Sequence, residues 1–352
     1  MKGVVLAGGR GTRLRPITFA MAKQLVPIAN RPIIAYGIED LVTAGIGDLA
    51  VVVSPETGPD VRRVLGTGSG FGARITYVEQ EAPLGLAHAL SVALPIVGDD
   101  DVLMYLGDNL LKGGVTDVVA DFETHRPDAQ ILLQKVADPS AFGVAELDAS
   151  GRVVKLEEKP ARPASDLVLV GVYLFSAGIE DALDELEPSA RGEYEITDAI
   201  QWLIDHGRSV RSTKVSGWWK DTGTKEDLLH ANELVLSDLV PTIGSELHGC
   251  AVSGPVAIGR RCTVVDSELV GPLVVGDDTT IVGSTLRAGT AVGDRCRVES
   301  ASIERSILMD GSAVSGWSLR DSIVGVDAFV VGPAPDEPIS LSLGERSEIG
   351  RR

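Results

Sequence analysis

The opening of the chain gathers the residue types that handle phosphate. An aliphatic run at residues 3–6 leads into Ala7-Gly8-Gly9-Arg10-Gly11-Thr12-Arg13-Leu14, and Lys23-Gln24-Leu25 follows. Glycines let backbone N–H groups approach phosphate oxygens closely, while arginine and lysine offer a planar fork and a point charge for a polyanion. The charge distribution points the same way. The formal charge of the chain is -18, yet residues 1–38 contain no Asp or Glu and carry Lys2, Arg10, Arg13, Arg15, Lys23 and Arg31. A cationic loop in an acidic protein suits one focused site for a small polyanion; the bland alternative is a solvated charged face. The acidic total argues against nucleic-acid binding, which needs Lys and Arg in excess along a surface.

Two common phosphate fingerprints fail at this loop. Leu14 stands where the third glycine of a dinucleotide-binding GxGxxG belongs, and the Gly-Lys-Ser/Thr of a Walker loop is missing. The five histidines, His88, His125, His206, His230 and His248, lack metal-ligand spacing, and His206 reads as a helix cap. Trp218 and Trp219 read as packing rather than as a platform for stacked bases.

The elements that position the loop alternate over the first two thirds of the chain. Residues 3–6, 49–53, 75–78, 102–106 and 131–136 read as strands. Asn30 and Pro32 mark a helix start with Gly45 as its stop, and a second helix runs from about Thr197 to His206, with Ile196, Ile200, Leu203 and Ile204 as its apolar stripe. This alternation predicts an α/β fold with a mostly parallel central sheet and ligands at the carboxyl ends of its strands.

After about residue 240 an internal repeat takes over. Val252, Ile258 and Val264 are spaced by six, and the trio recurs as Leu269, Val275 and Ile281, then as Leu286, Val292 and Val298, with Ile303 starting a fourth round. A six-residue aliphatic period in three-sided coils predicts a parallel β-helix; a β-sandwich would show alternation instead. Cys262 and Cys296 then lie two coils apart, roughly 9–10 Å at the usual strand spacing, beyond disulfide reach. With Cys250 they read as free thiols in a reducing cytoplasm. Residues 167–175 are among the longest apolar runs, well short of the roughly 20 a membrane span needs, so a soluble chain with no membrane partner is expected. Residues 333–352, rich in Pro, Ser and charge, read as a loose tail.

Further ordered motifs are Gln80 with Pro83-Leu84-Gly85-Leu86-Ala87, Leu106-Gly107-Asp108-Asn109, Phe142-Gly143-Val144, Leu156-Glu157-Glu158-Lys159-Pro160, Arg191-Gly192-Glu193 and Trp219-Lys220-Asp221-Thr222-Gly223. Together with GGRGTRL and KQL, over roughly residues 1–240, they resemble the sugar nucleotidyltransferases, and most of all the glucose-1-phosphate thymidylyltransferases in their long form. The resemblance implies a Rossmann-like nucleotidyltransferase domain at 1–240, a left-handed parallel β-helix at 241–331 and a tail at 332–352. It also implies Mg2+ on Asp108 and Asp221, with dTTP and glucose 1-phosphate as substrates, and a homo-oligomer; the alternative that keeps the fold uses UTP, ATP or GTP in place of dTTP, or another hexose.

By the same resemblance, catalysis falls to Arg13, Lys23 and Lys159. Nucleotide contacts fall to Leu6, Gly8, Gly9, Gly11, Thr12, Gln24, Gln80, Pro83 and Gly85, and sugar contacts to Leu106, Gly107, Asn109, Gly143, Glu158, Gly171, Tyr173 and Trp219. Read by its chemistry alone, Asp108 is an Asp-Asn turn as readily as a ligand, Lys159 a solvated turn residue, and Gly143 and Gly171 bulge glycines. A sugar phosphate is already an anion, so the reaction needs alignment and charge neutralisation rather than a general base. Two further readings stand beside this one. A catalytically silent sugar-nucleotide-binding subunit would be marked by loss of Arg13, Lys23, Asp108 or Asp221, and all four are present. An acyltransferase in the β-helix would want a histidine, and none follows His248. Long forms with such an appendage resemble enzymes that supply activated glucose for bacterial deoxysugars.

Overall fold

A computed structural model describes residues 1–332 and 337–350. The chain forms two compact units, one made of Met1–Gly9 and Ile34–Asp221, the other of Arg10–Ile33 and Thr222–Arg352.

The first unit is built on a nine-stranded sheet. Strands Val102–Leu106, Lys2–Ala7, Asp48–Val53 and Arg74–Glu79 lie side by side in parallel. Strands that are buried on both faces read as near-continuous aliphatic runs, which is how VVLA, LAVVV and VLMYL appear in the sequence. The nine-residue strand Leu167–Phe175 enters antiparallel, against Val102–Leu106 on one side and Ala129–Lys135 on the other. All five expected strands are present. The expected helix over 197–206 spans Ile196–Asp205, and its Ile196, Ile200 and Leu203 join one core with Val4, Val52 and Met104. His206 caps this helix through Nδ1 and the Trp202 carbonyl, 2.8 Å away. The first helix begins later than Asn30 suggested, at Ile33–Thr43. Asn30 instead sits in the turn of a small hairpin, Pro27–Ile28 against Arg31–Pro32, and its φ of 64° is not helical.

The second unit contains the parallel β-helix. Val252, Leu269, Leu286 and Ile303 stand in one ladder, Ile258, Val275 and Val292 in a second, Val264, Ile281 and Val298 in a third. The register is the one the six-residue period predicts. Val252 opens its ladder and stays 44% exposed, whereas Val264, Ile281 and Val298 are fully buried. The three cysteines are free. Burial pushes the Cys296 thiol up to about 11, so it is an inert packing group.

Residues 337–350 depart from the loose tail. Ser342–Leu343 pairs with Ile323–Val324 and Glu348–Ile349 with Phe329–Val330, adding a further coil. Pairing against an exposed strand edge gives these backbone groups partners that a free tail would have to find in water. Residues 333–336 and 351–352 lie outside the described residues. Among the described residues, no helix is long and apolar enough to cross a membrane.

Candidate functional site

Two short strands place Asp221 opposite the residue that follows Asp108. Trp219–Asp221 pairs antiparallel with Asn109–Leu111 so that Asp221 faces Asn109, the residue after Asp108. Asp108 follows the carboxyl end of Val102–Leu106 and is 8% exposed. Beside it, the Asn109 amide donates to Asp108 Oδ1 at 3.1 Å. Asn109 Oδ1 in turn accepts from Trp219 Nε1 at 2.5 Å and from the Gly171 N–H at 3.3 Å.

Aspartate carboxylates are hard-oxygen donors of the kind magnesium takes when a substrate phosphate completes its shell. Among the described residues there is no group of three or more His, Cys, Asp or Glu that could hold a metal alone. The chemistry of Asp108 and Asp221 fits an ion whose shell a phosphate completes.

Around Glu158, charges of both signs crowd together. Lys159 Nζ lies 3.3 Å and Arg191 Nη1 3.6 Å from the same oxygen, Glu158 Oε1, while Thr197 Oγ1 donates to Oε2 at 3.3 Å. Arg191 also pairs with Glu193 and with the buried Glu195. Lys159 has a left-handed backbone at φ 43° directly before Pro160, held by its N–H to the Phe142 carbonyl. Strain of this sort in a non-glycine residue collects at functional sites. Phe142 meets the Trp219 ring edge-on. Tyr173 is buried in the core, and its phenol is pushed far up, first by burial and then by the charges of Glu158 and Asp221. Asp198 is raised by burial and then by Glu158. Gly143 and Gly171 line the same region, since a Cβ would come 2.6 Å from the Thr197 side chain and from Asn109 Oδ1 respectively.

A third group gathers at Gln80. Its Nε2 donates to the Gly85 carbonyl at 3.1 Å and lies 2.9 Å from His88 Nδ1, and its Oε1 faces Gly8. Gly85 has φ 108° and the Tyr194 backbone pressed against it, so no side chain fits there. Leu6 closes the neighbouring strand end, accepting the Gly107 N–H at 2.9 Å. Pro83 lies in the segment leading to Gly85, and Leu106 ends its strand.

From Arg10 onward the cationic loop belongs to the second unit, while Gly8 and Gly9 belong to the first. Gly11, at φ 59°, packs on the Lys23 stem, where a Cβ would come within 2.8 Å, and its carbonyl accepts the Thr18 hydroxyl. Gly9, Thr12 and Arg13 are exposed, while Gln24 is buried with Oε1 unpaired.

Sequence reading gave no role to Arg191, Thr197, Tyr194 or His88. Arg191 did stand in a quoted motif, but its approach to Glu158 comes from tertiary structure. The other three carry no local signal.

The chain matches the family model for nucleotidyl transferases over residues 2–238. It is 46% identical to a glucose-1-phosphate thymidylyltransferase of Streptomyces griseus, covering 99% of this chain and 98% of that one. It is 50% identical to one of Streptomyces antibioticus, covering 92% of each. A crystal structure from Bacillus anthracis in complex with a sucrose, assigned to the same activity, superposes with a TM-score of 0.64 at 38% identity, over 70% of this chain and 98% of that one.

Proposed function

The chain belongs to the nucleotidyl transferase family, and from that premise we propose that it moves a thymidylyl group from dTTP to α-D-glucose 1-phosphate, giving dTDP-glucose and pyrophosphate. Nucleotidyl transfer is its reaction. The observation that supports the choice of site is the pairing of Asp221 with Asn109, the residue after Asp108, next to the hydrogen bonds that Asn109 accepts from Gly171 and Trp219.

In this reading Asp108 and Asp221 hold Mg2+, which when bound offsets the charge of the nucleotide phosphates. Arg13 and Lys23 hold the β- and γ-phosphates and stabilise the leaving pyrophosphate. Lys159 binds the sugar phosphate, and Arg191, which shares the same Glu158 oxygen, joins it. Glu158, Asn109 and the backbone of Gly143 and Gly171 face the sugar hydroxyls, and Tyr173 backs them from the core. The phosphate oxygen of the sugar attacks the α-phosphorus while the bond to pyrophosphate breaks. The protein aligns the two ends and excludes competing water, with no proton to remove from the nucleophile. Gln80 Oε1 is an acceptor for a pyrimidine N–H, with Gly8, Pro83 and Gly85 shaping the approach. Uracil offers the same N–H, and the thymine methyl adds only about 1 kcal/mol, so UTP is a slower second substrate. Three free thiols suit a reducing cytoplasm, where we place the enzyme.

The test is an initial-rate panel of nucleoside triphosphates with glucose 1-phosphate and Mg2+, following pyrophosphate. We expect dTTP first and UTP second. No pyrophosphate from either would remove the reading.

A further inference from the structure

The hairpin that closes the cationic loop is held from outside itself. Its turn sets Ala29 at φ 47° and Asn30 at φ 64°. Left-handed backbone is unfavourable for alanine, whose Cβ crowds the next carbonyl, so such a turn persists only where its surroundings fix it. Asn232 is fully buried on the helix Lys225–Leu236. It accepts the Ala29 N–H on Oδ1 at 2.8 Å and donates Nδ2 to the Gly289 carbonyl, also at 2.8 Å. One residue along the turn, Asn30 donates Nδ2 to the Val292 carbonyl at 2.7 Å. Gly289 precedes one short strand of the β-helix, Thr290–Val292, and Val292 ends it. The loop meets the β-helix again in its last described coil, where a Cβ on Gly344 would come 2.9 Å from the Pro16 carbonyl oxygen. Residues 10–33 thus form one unit with the β-helix through contacts at both ends.

We propose that the β-helix is the positioning scaffold of this loop, with Asn232 and Asn30 as the clamp that fixes where its cations stand. The inference rests on the reading that Arg13 and Lys23 hold the triphosphate. Cations set in advance stabilise a developing charge without reorganising at the moment of reaction. A loosened clamp therefore weakens the nucleotide step and spares the sugar step, whose Lys159 and Glu158 belong to the other unit.

The test uses the full chain. Asn232→Leu removes both amide bonds; Asn232→Asp keeps the acceptor and loses the donor; Asn30→Gly removes the Val292 bond while glycine takes the turn conformation freely. With Asn232→Leu the KM for dTTP should rise about tenfold, with Asn232→Asp and Asn30→Gly about threefold, as expected for losing two bonds or one. The KM for glucose 1-phosphate should stay within about twofold, since no sugar contact changes. Amide exchange should speed up across residues 10–33 and hold in Lys2–Ala7. Unchanged loop exchange with an unchanged dTTP KM would overturn the proposal, and so would equal rises in both KM values. If Asn232→Leu does not fold, Asn30→Gly decides. Arg13→Ala runs beside these variants: parental turnover there removes the triphosphate assignment, and loop exchange alone then judges the clamp.

Discussion

The parallel sheet and the β-helix bury their aliphatic side chains under different rules. In the β-helix, Val264, Ile281 and Val298 occupy equivalent places and are equally buried, so each is defined by its period and could exchange with its neighbours. Around the candidate site of the sheet unit no two positions are equivalent. Gly171 is hemmed in by the Asn109 amide and the Leu106 side chain, and Asp221 is placed by its pairing with Asn109. Periodic burial carries stability that is spread over many similar contacts, whereas the aperiodic candidate site depends on particular side chains. A substitution should therefore cost the β-helix mainly stability and the candidate site mainly function.

The sharpest break in that comparison comes from the carboxylate pair. Asp108→Asn and Asp221→Asn should each lower turnover by at least about a hundredfold, because each removes charge from the metal, while circular dichroism stays unchanged. Near-normal turnover in both would dissolve the metal assignment. A smaller effect is expected at Gly171→Ala, whose methyl must displace Asn109 and with it the hydrogen bond to Trp219. The KM for glucose 1-phosphate should rise about threefold, as for the loss of one hydrogen bond, with dTTP affinity unmoved. In the β-helix, Ile281→Val should lower stability by about 1 kcal/mol and leave turnover alone. A change in turnover there without a change in thermal midpoint would erase the distinction between the two regions.

Legibility followed the same divide. The triple register was readable because every inward position meets the same environment one coil away, so the spacing in sequence is also the spacing in space. The same signal persisted into residues that read as a tail. Leu343-Gly344 repeats the pairs Ile258-Gly259 and Val275-Gly276, and Ile349 follows six residues later. Its neighbourhood of prolines and charges masked it. Asp108, Lys159 and Gly171 were legible as members of motifs, although their residue types alone left turn and bulge readings open. The clamp at Asn232 was not legible at all. An asparagine within EDLLHANELVL gives no local sign that both faces of its amide are satisfied by segments 203 and 57 residues away. Hydrogen bonds at that separation follow from the fold, so no window of sequence contains them.

The smallest expected effect sets one carboxylate of the sheet unit against one of the β-helix, because their contributions to stability should respond to pH with opposite signs. Asp40 accepts the hydroxyl of the buried Tyr105 at 3.1 Å. Its carboxyl is raised from 3.8 to about 6, first by burial and further by Glu39 nearby. The folded state then keeps a proton that the unfolded chain has already released, so stability falls as pH climbs from about 4 to 6. Asp278 is lowered instead, chiefly by its hydrogen bonds to Arg261, so its small contribution is present above the ordinary carboxylate range and is lost on acidification. Asp40→Asn keeps an acceptor for Tyr105 and removes the titration. Thermal midpoints of the variant should exceed those of the parent at pH 7 to 8 and converge with them near pH 4, where Asp40 is protonated in the folded parent. A gap of the same size at both ends of this range would mean that packing around Tyr105, and not the charge on Asp40, separates the two proteins.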